Sequence, residues 1–250
     1  MGRISLRPAL VTARTSARRE LWLEANLARN RGQLRRALAL YRRILLEAPR
    51  DVEVALCTAP LLARHGEGFE AWQLFRMAAG ELHRMRRFDA SLAALRDACR
   101  CVPYEYDAWR LRAELEQKLG REEAAFDTLT EGAQHFDRPH SATQAIALLT
   151  RARAIEPWDS ELALDLARLY ARTGMVDSAL NLLASLAPRV RGRALRRVRG
   201  LQWRITLSFY HAWRWIQALS QDLRGEEDPA ADVLAATEPA SERAGLGSGS

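Results

Sequence analysis

Pro49, Pro103 and Pro157 stand 54 residues apart. Proline has no backbone N–H to donate, and its ring clashes with the preceding turn, so each is a place where a helix must stop. The same step joins Gly66, Gly120 and Gly174, then Ala71, Ala125 and Ala179, then Phe75, Leu129 and Leu183. Asp51, Glu105 and Asp159 each follow a proline by two residues. Independent landmarks on one period mark an internal repeat, which restricts the chain to units that stack on their neighbours.

Each landmark has a mechanical meaning. The acid after the proline sits at a helix N-terminus, where the helix dipole favours negative charge. The glycine closes that helix by tolerating a left-handed backbone. The alanine lets the following helix approach closely, and the large apolar residue four positions on fills the gap on the same face. Helical periodicity runs from about Arg19 to Leu219. It predicts helices over 18–31, 34–47, 51–64, 69–84, 88–101, 105–118, 121–135, 140–155, 159–173, 176–187 and 192–222. Pro60 falls inside one of them and predicts a kink.

These residues resemble the tetratricopeptide repeat family. Trp109, Ala113, Gly120, Ala125 and Leu129 carry its spacing, as do Leu166, Ala167, Tyr170, Gly174, Ala179 and Leu183. Leu21, Ala25, Gly32, Ala37, Tyr41 and Pro49 form a third copy, and Ala59, Leu62, Gly66, Ala71, Phe75 and Ala78 a fourth. The resemblance covers residues 18 to 190 and implies an all-α solenoid that binds other proteins. Such repeats have two helices and a period of about 34 residues. A 54-residue step leaves room for a third helix, read at Leu34–Glu47, Phe88–Cys101 and Ser141–Ile155. Three antiparallel helices per unit would reverse equivalent helices in successive units. Either one helix crosses the others, as in armadillo repeats, or the stack is irregular.

Four regions follow: a basic, poorly ordered arm over 1–17, the solenoid over 18–190, an Arg- and aromatic-rich helix over 191–223, and a disordered acidic tail over 224–250. The tail is an Ala, Glu, Ser and Gly stretch with too little apolar surface to fold. In the preceding helix, Val198, Leu201, Ile205, Ala212, Ile216 and Leu219 form one stripe, and Trp203, Tyr210 and Trp213 a second. That helix caps the stack. Alternatively, the Arg189–Trp215 segment binds an anionic membrane or nucleic acid, or Arg193, Arg196, Arg197, Trp203, Arg204, Tyr210 and Trp213 form a docking surface for a partner protein.

Composition narrows the function. The chain is 48% hydrophobic and 28% charged, with a formal charge of +7 and a pI near 10.0. Such a chain favours acidic partners. Nucleic acid is disfavoured because acids such as Glu114, Glu116, Glu122 and Glu123 interleave with the arginines. Three cysteines, Cys57, Cys99 and Cys101, are too few and odd for a disulfide framework and fit the reducing cytoplasm. Cys99 and Cys101 lack a matching ligand pair, and the five histidines share no two-ligand spacing. No stretch is long and apolar enough to cross a membrane. No catalytic motif is present, so the expectation is a non-enzymatic adaptor with no cofactor and no metal.

In the family, peptides lie along the first helix of each unit. Carried over, that face is Trp22, Asn26 and Arg29 in the first copy, and Arg110, Glu114 and Gln117 in a middle copy. In the last it is Leu164, Arg168 and Arg172. Arg110 and Arg168 would suit an acidic peptide.

Overall fold

The computed structural model describes residues 7–206 and 213–219, with side chains from Ser16 onward. It divides into two compact units, Met1–Leu162 and Ala163–Ser250. The described residues are helical throughout, with no strand. The first unit holds α1 (Arg7–Asn30), α2 (Leu34–Glu47), α3 (Val52–Arg64), α4 (Gly68–Arg84), α5 (Phe88–Cys101), α6 (Tyr106–Lys118), α7 (Glu122–Gln134) and α8 (Ala142–Ile155). The boundary falls within α9 (Ser160–Arg172), which is followed by α10 (Val176–Leu186) and α11 (Gly192–Thr206).

The predicted helices lie where the periodicity puts them, with three differences. α1 begins at Arg7, inside the stretch read as a loose arm. Proline is tolerated in a helix's first turn, and nothing from Ala9 to Ala17 breaks a helix. Pro60 leaves α3 a single helix over Val52–Arg64. The third difference concerns the helix read over 192–222. Residues 213–219 are helical, yet Trp203 and Trp215 stack with ring centroids 6.2 Å apart. Twelve residues of straight helix span about 18 Å. A Cβ placed on Gly200 would lie 3.1 Å from Nε1 of Trp215, which rules out one straight helix still more firmly. The apolar stripe drawn across that span is broken too, because Val198 is buried while Ile216 is about half exposed. Tyr210, Ala212 and the 224–250 tail lie outside the described residues.

Five turns share one construction. Gly32, Gly66, Gly120 and Gly174 take positive φ, and so does Arg86, at 57°. At each, the amide of the left-handed residue bonds to the carbonyl three positions back. The next amide reaches five back, as in Gly120 to Gln117 (2.9 Å) with Arg121 to Glu116 (2.9 Å). Arg86 to His83 and Arg87 to Leu82, both 2.9 Å, repeat it. This is the Schellman closure, which satisfies carbonyls a helix end would leave bare.

The turn at Arg86 explains the period. It stands 54 residues after Gly32 and 34 before Gly120. The hairpin α4–α5 therefore repeats α1–α2, and α4 is both the second helix of one hairpin and the first of the next. The 54-residue step is one 34-residue hairpin plus a 20-residue helix and turn. The landmarks perform as read. Ala71, Ala125 and Ala179 have no exposed surface, and Phe75, Leu129 and Leu183 are buried. Asp51 accepts from the Val54 amide and Asp159 from the Leu162 amide, at 3.2 and 2.9 Å. Glu105, one methylene longer, makes no such cap.

Cross-helix pairs sort the first unit into two layers. Arg18 of α1 pairs with Asp51 at the start of α3, and Arg121 at the start of α7 with Asp89 of α5 at 2.8 Å. Arg42 of α2 pairs with Glu67 and Glu70 at the start of α4, and Arg151 of α8 with Glu114 of α6 at 2.7 Å. Consecutive helices also pack together in chain order, as connections of a few residues require. Helices α1, α3, α5 and α7 form one layer; α2, α4, α6 and α8 form the other. No helix needs to cross the stack: equivalent helices of successive 54-residue units simply alternate between layers.

In the second unit the Gly174 turn ends α9 ahead of α10, and α10 packs on α11. Val198 and Gln202 are the buried residues of α11.

Candidate functional site

The layering separates residues that the sequence puts in one groove. Trp22, Asn26 and Arg29 lie on α1, in the odd layer, while Arg110, Glu114 and Gln117 lie on α6, in the even one. Asn26 is already committed: it donates to the Trp22 carbonyl at 3.0 Å and accepts the Tyr41 hydroxyl at 2.8 Å. Trp22 meets the Tyr41 ring edge-on at 5.7 Å. The pair therefore joins α1 to α2. Arg110 bonds Asp107 and Glu114 at 2.8 and 2.9 Å. Glu114 holds Arg110 and Arg151 together; burial alone would raise its pKa, but hydrogen bonds from those two arginines outweigh it and leave it lowered. In the second unit Arg168 bonds Asp165 at 2.5 Å, Arg172 is exposed, and Leu164 is fully buried in the core, not on a binding face.

Of the Arg-rich segment, Arg193, Trp203, Arg204 and Trp213 are exposed. Arg196 and Arg197 both have interaction partners within the structure.

What the sequence reading did not assemble is a cleft of about 410 Å³ between α5 and α7. Its construction starts with glycine. Gly132 lies beneath the Trp109 indole, so close that a Cβ there would sit 2.8 Å from the ring. This lets α7 press against α6 and buries Trp109, whose Nε1 donates to the Pro103 carbonyl at 2.8 Å. His135 stacks on the indole at 5.2 Å and meets Tyr104 edge-on. Arg138 covers the other reach of Tyr104 at 5.7 Å.

Three arginines line the cleft. Arg96 and Arg100 project from α5 one helical turn apart, and Arg112 comes from α6. Arg112 donates through Nε to Glu116 at 3.0 Å, and Glu116, almost fully buried, also accepts the Thr128 hydroxyl. Arg100 is held only loosely, by Asp97 at 3.9 Å. Arg96 is in no ion pair among the described residues, and Glu131 of α7 is the acid on the wall. Cys99 closes the cleft from behind. Burial pushes its thiol up to about 12, against the pull of Arg112, so it stays neutral. A second cleft of about 230 Å³, including Arg19, Trp22 and Glu53, opens between α1 and α3. Both open along the odd layer.

Among the described residues all three cysteines are free, no cluster of His, Cys, Asp or Glu is placed to hold a metal, and no helix is long and apolar enough to cross a membrane.

Residues 139–202 match the tetratricopeptide repeat family model. Similar solved structures include a tetratricopeptide repeat protein from Parabacteroides merdae, at 14% identity over 86% of this chain and 96% of that one, TM-score 0.31. YrrB, described as having an unusual peptide-binding site, is 16% identical over 85% and 88%, TM-score 0.27. Pseudomonas aeruginosa pilF is 14% identical over 90% and 99%, TM-score 0.29. Likeness at these values carries no argument about binding. No curated protein matches the chain.

Proposed function

We propose that this chain, whose residues 139–202 match the tetratricopeptide repeat family model, is a non-enzymatic adaptor holding an acidic protein or peptide segment against the layer of α1, α3, α5 and α7. The observation that carries this reading is the placement of the α1–α3 and α5–α7 clefts along one helix layer, with arginine in each. Clefts between packed helices are where small, partly apolar sites form. The arginines suit acidic side chains, and a basic chain steers such partners toward itself. The reducing cytoplasm remains the expected setting for its free thiols.

The residues carried over from the family offer a competing location: Arg110 with Glu114 on α6, or Arg168 with Arg172 on α9. Affinity capture with the full chain separates them. The test compares wild type with R19E/R96E/R100E and with R110E/R168E. A specific partner lost only with the first variant supports the odd layer. Loss only with the second moves the site to the positions read from the family. A set of captured proteins unchanged by both sinks the proposal that either face binds.

A further inference from the structure

We propose that one face of α11, together with the helical segment 213–219 seated on it, docks on an anionic membrane surface. The inference goes beyond the adaptor reading and does not depend on the clefts.

α11 has two opposite faces. At the α-helical repeat, Arg193, Arg197, Gly200 and Arg204 fall within about 60° of one another around the axis. Val198 and Gln202, which are buried, fall on the other side. The second segment sits down at Gly200. A Cβ there would lie 3.1 Å from Nε1 of Trp215, and Trp215 stacks on Trp203 with the ring planes 15° apart. The absent side chain thus lets a tryptophan lie across the arginine face. Around that contact the surface is both basic and apolar. Arg193, Arg197 and Arg204 are exposed. Trp213 and Ile216 are 55% and 52% exposed, and Trp203 39%. Large apolar side chains grouped in water and rimmed by polar ones mark an interaction site.

The charge on this stretch has one sign. Residues 189–219 contain eight arginines and no acid. Over residues 163–188 the acids are Asp165, which pairs with Arg168, and Asp177. Acidic headgroups attract such a surface, and tryptophan favours the headgroup boundary, where its ring is in apolar surroundings and its N–H stays wet. Ile216 gains from acyl chains and has little to offer a base or a phosphate. Trp203 and Trp215 spend a ring face on each other, so the pair is not an open stacking platform for bases. A membrane surface is the occupant that uses the basic and the apolar halves of the patch together.

The test is vesicle co-sedimentation with the full chain. The vesicles are phosphatidylcholine alone, or phosphatidylcholine and phosphatidylglycerol in a two-to-one ratio. The expected result is binding to the mixed vesicles that exceeds binding to phosphatidylcholine alone and falls as salt rises. R193E/R204E weakens it by about tenfold or more, since each basic residue near such a surface contributes about fivefold in partition. R193Q/R204Q, which removes the charge without reversing it, gives a smaller loss in the same direction, and R193K/R204K keeps the binding. W213S/I216S weakens it by about tenfold through lost apolar contact. All four positions are exposed, so these variants should melt with wild type. R35E/R43E, an equal charge reversal on α2, leaves binding nearly unchanged. Equal binding to both kinds of vesicle overturns the proposal, as does equal loss in R35E/R43E or unchanged binding in W213S/I216S. Absence of binding to the mixed vesicles also overturns it, and leaves the patch to the acidic stretch from Asp222 to Glu242 or to a partner protein. Retention of a single-stranded oligonucleotide that R193E/R204E abolishes, with vesicles ignored, reassigns the patch to nucleic acid. None of these outcomes touches the partner-capture comparison, which tests the clefts.

Discussion

Thr128 of α7 donates its hydroxyl to the buried carboxylate of Glu116 on α6 at 2.7 Å, across the hairpin that Gly120 closes. A charge this deep is stable only when its oxygens are satisfied. Arg112 fills Oε1 and Thr128 fills Oε2. Thr128→Val keeps the shape and removes the donor. A hydrogen bond to a charged group is worth about 1.5–3 kcal/mol, and the loss should approach that range in urea unfolding. Thr128→Ser should recover most of it. Thr58→Val removes only a bond to the neutral Val54 carbonyl, so it should cost less, about 0.5–1.5 kcal/mol. Equal costs at the two sites would show that Glu116 does not depend on Thr128.

Gly132 and Gly80 are both inside helices and should respond in opposite directions to alanine. At Gly132 the added methyl would meet the Trp109 ring at 2.8 Å, so Gly132→Ala overpacks the α6–α7 contact. Overpacking of this kind costs about 1–3 kcal/mol. At Gly80 nothing lies within 4 Å, so Gly80→Ala should stabilise by about 0.5–1 kcal/mol through lost backbone entropy in the unfolded chain. Thermal melts of the two variants should move to either side of wild type. A Gly132→Ala protein as stable as wild type would mean that Trp109 shifts freely, and the cleft wall with it.

Arg86 occupies the left-handed position that glycine fills in the four other Schellman turns. A side chain there costs roughly 1–2 kcal/mol, so Arg86→Gly should stabilise the chain by about that much, less the extra freedom glycine has when unfolded. The check is the shift in urea midpoint. Destabilisation would show that the Arg86 side chain does something that its backbone geometry does not reveal.

Arg86 also shows where the sequence stops being readable. Glycine announces a left-handed turn, and Gly32, Gly66, Gly120 and Gly174 could be placed without coordinates. Arginine announces nothing, so the α4–α5 turn disappears from the pattern and the 54-residue period looks like an inserted helix in place of a shared one. The core landmarks were legible because burial needs the same small or large residue at each repeat. The cleft was not, because it draws Arg96 from α5, Arg112 from α6 and Glu131 from α7, and no local period links them. The spacing of Arg96 and Arg100 by four was the one available sign. The face carried over from the family mixed α1 with α6, since two-helix repeats keep first helices on one side and a 54-residue step does not. Beyond Thr206 periodicity alone cannot tell one long helix from two segments whose tryptophans stack.

Cys99 provides an alkaline signature. Its folded pKa stands at about 12, raised by burial, while an exposed thiol ionises near 8.5. Between those values the unfolded chain has released a proton that the folded chain keeps. The stability held by the neutral thiol is therefore complete below about pH 8.5 and is lost as pH rises toward 12. Cys99→Ser removes this thiol titration, so the drop in urea midpoint between pH 8 and pH 10 should be smaller in the variant than in wild type. Cys101, also raised by burial, and Tyr41 titrate in both proteins, so the comparison isolates Cys99. In the native chain at pH 8.5, iodoacetamide should label Cys99 more slowly than the half-buried Cys57 and Cys101, because the thiolate is the nucleophile and access is poorer. Mass spectrometry of the labelled peptides reads the order. Labelling of Cys99 as fast as Cys101 would mean that the back wall of the α5–α7 cleft opens in solution, and that its thiol, once ionised, could oppose the arginines in front of it.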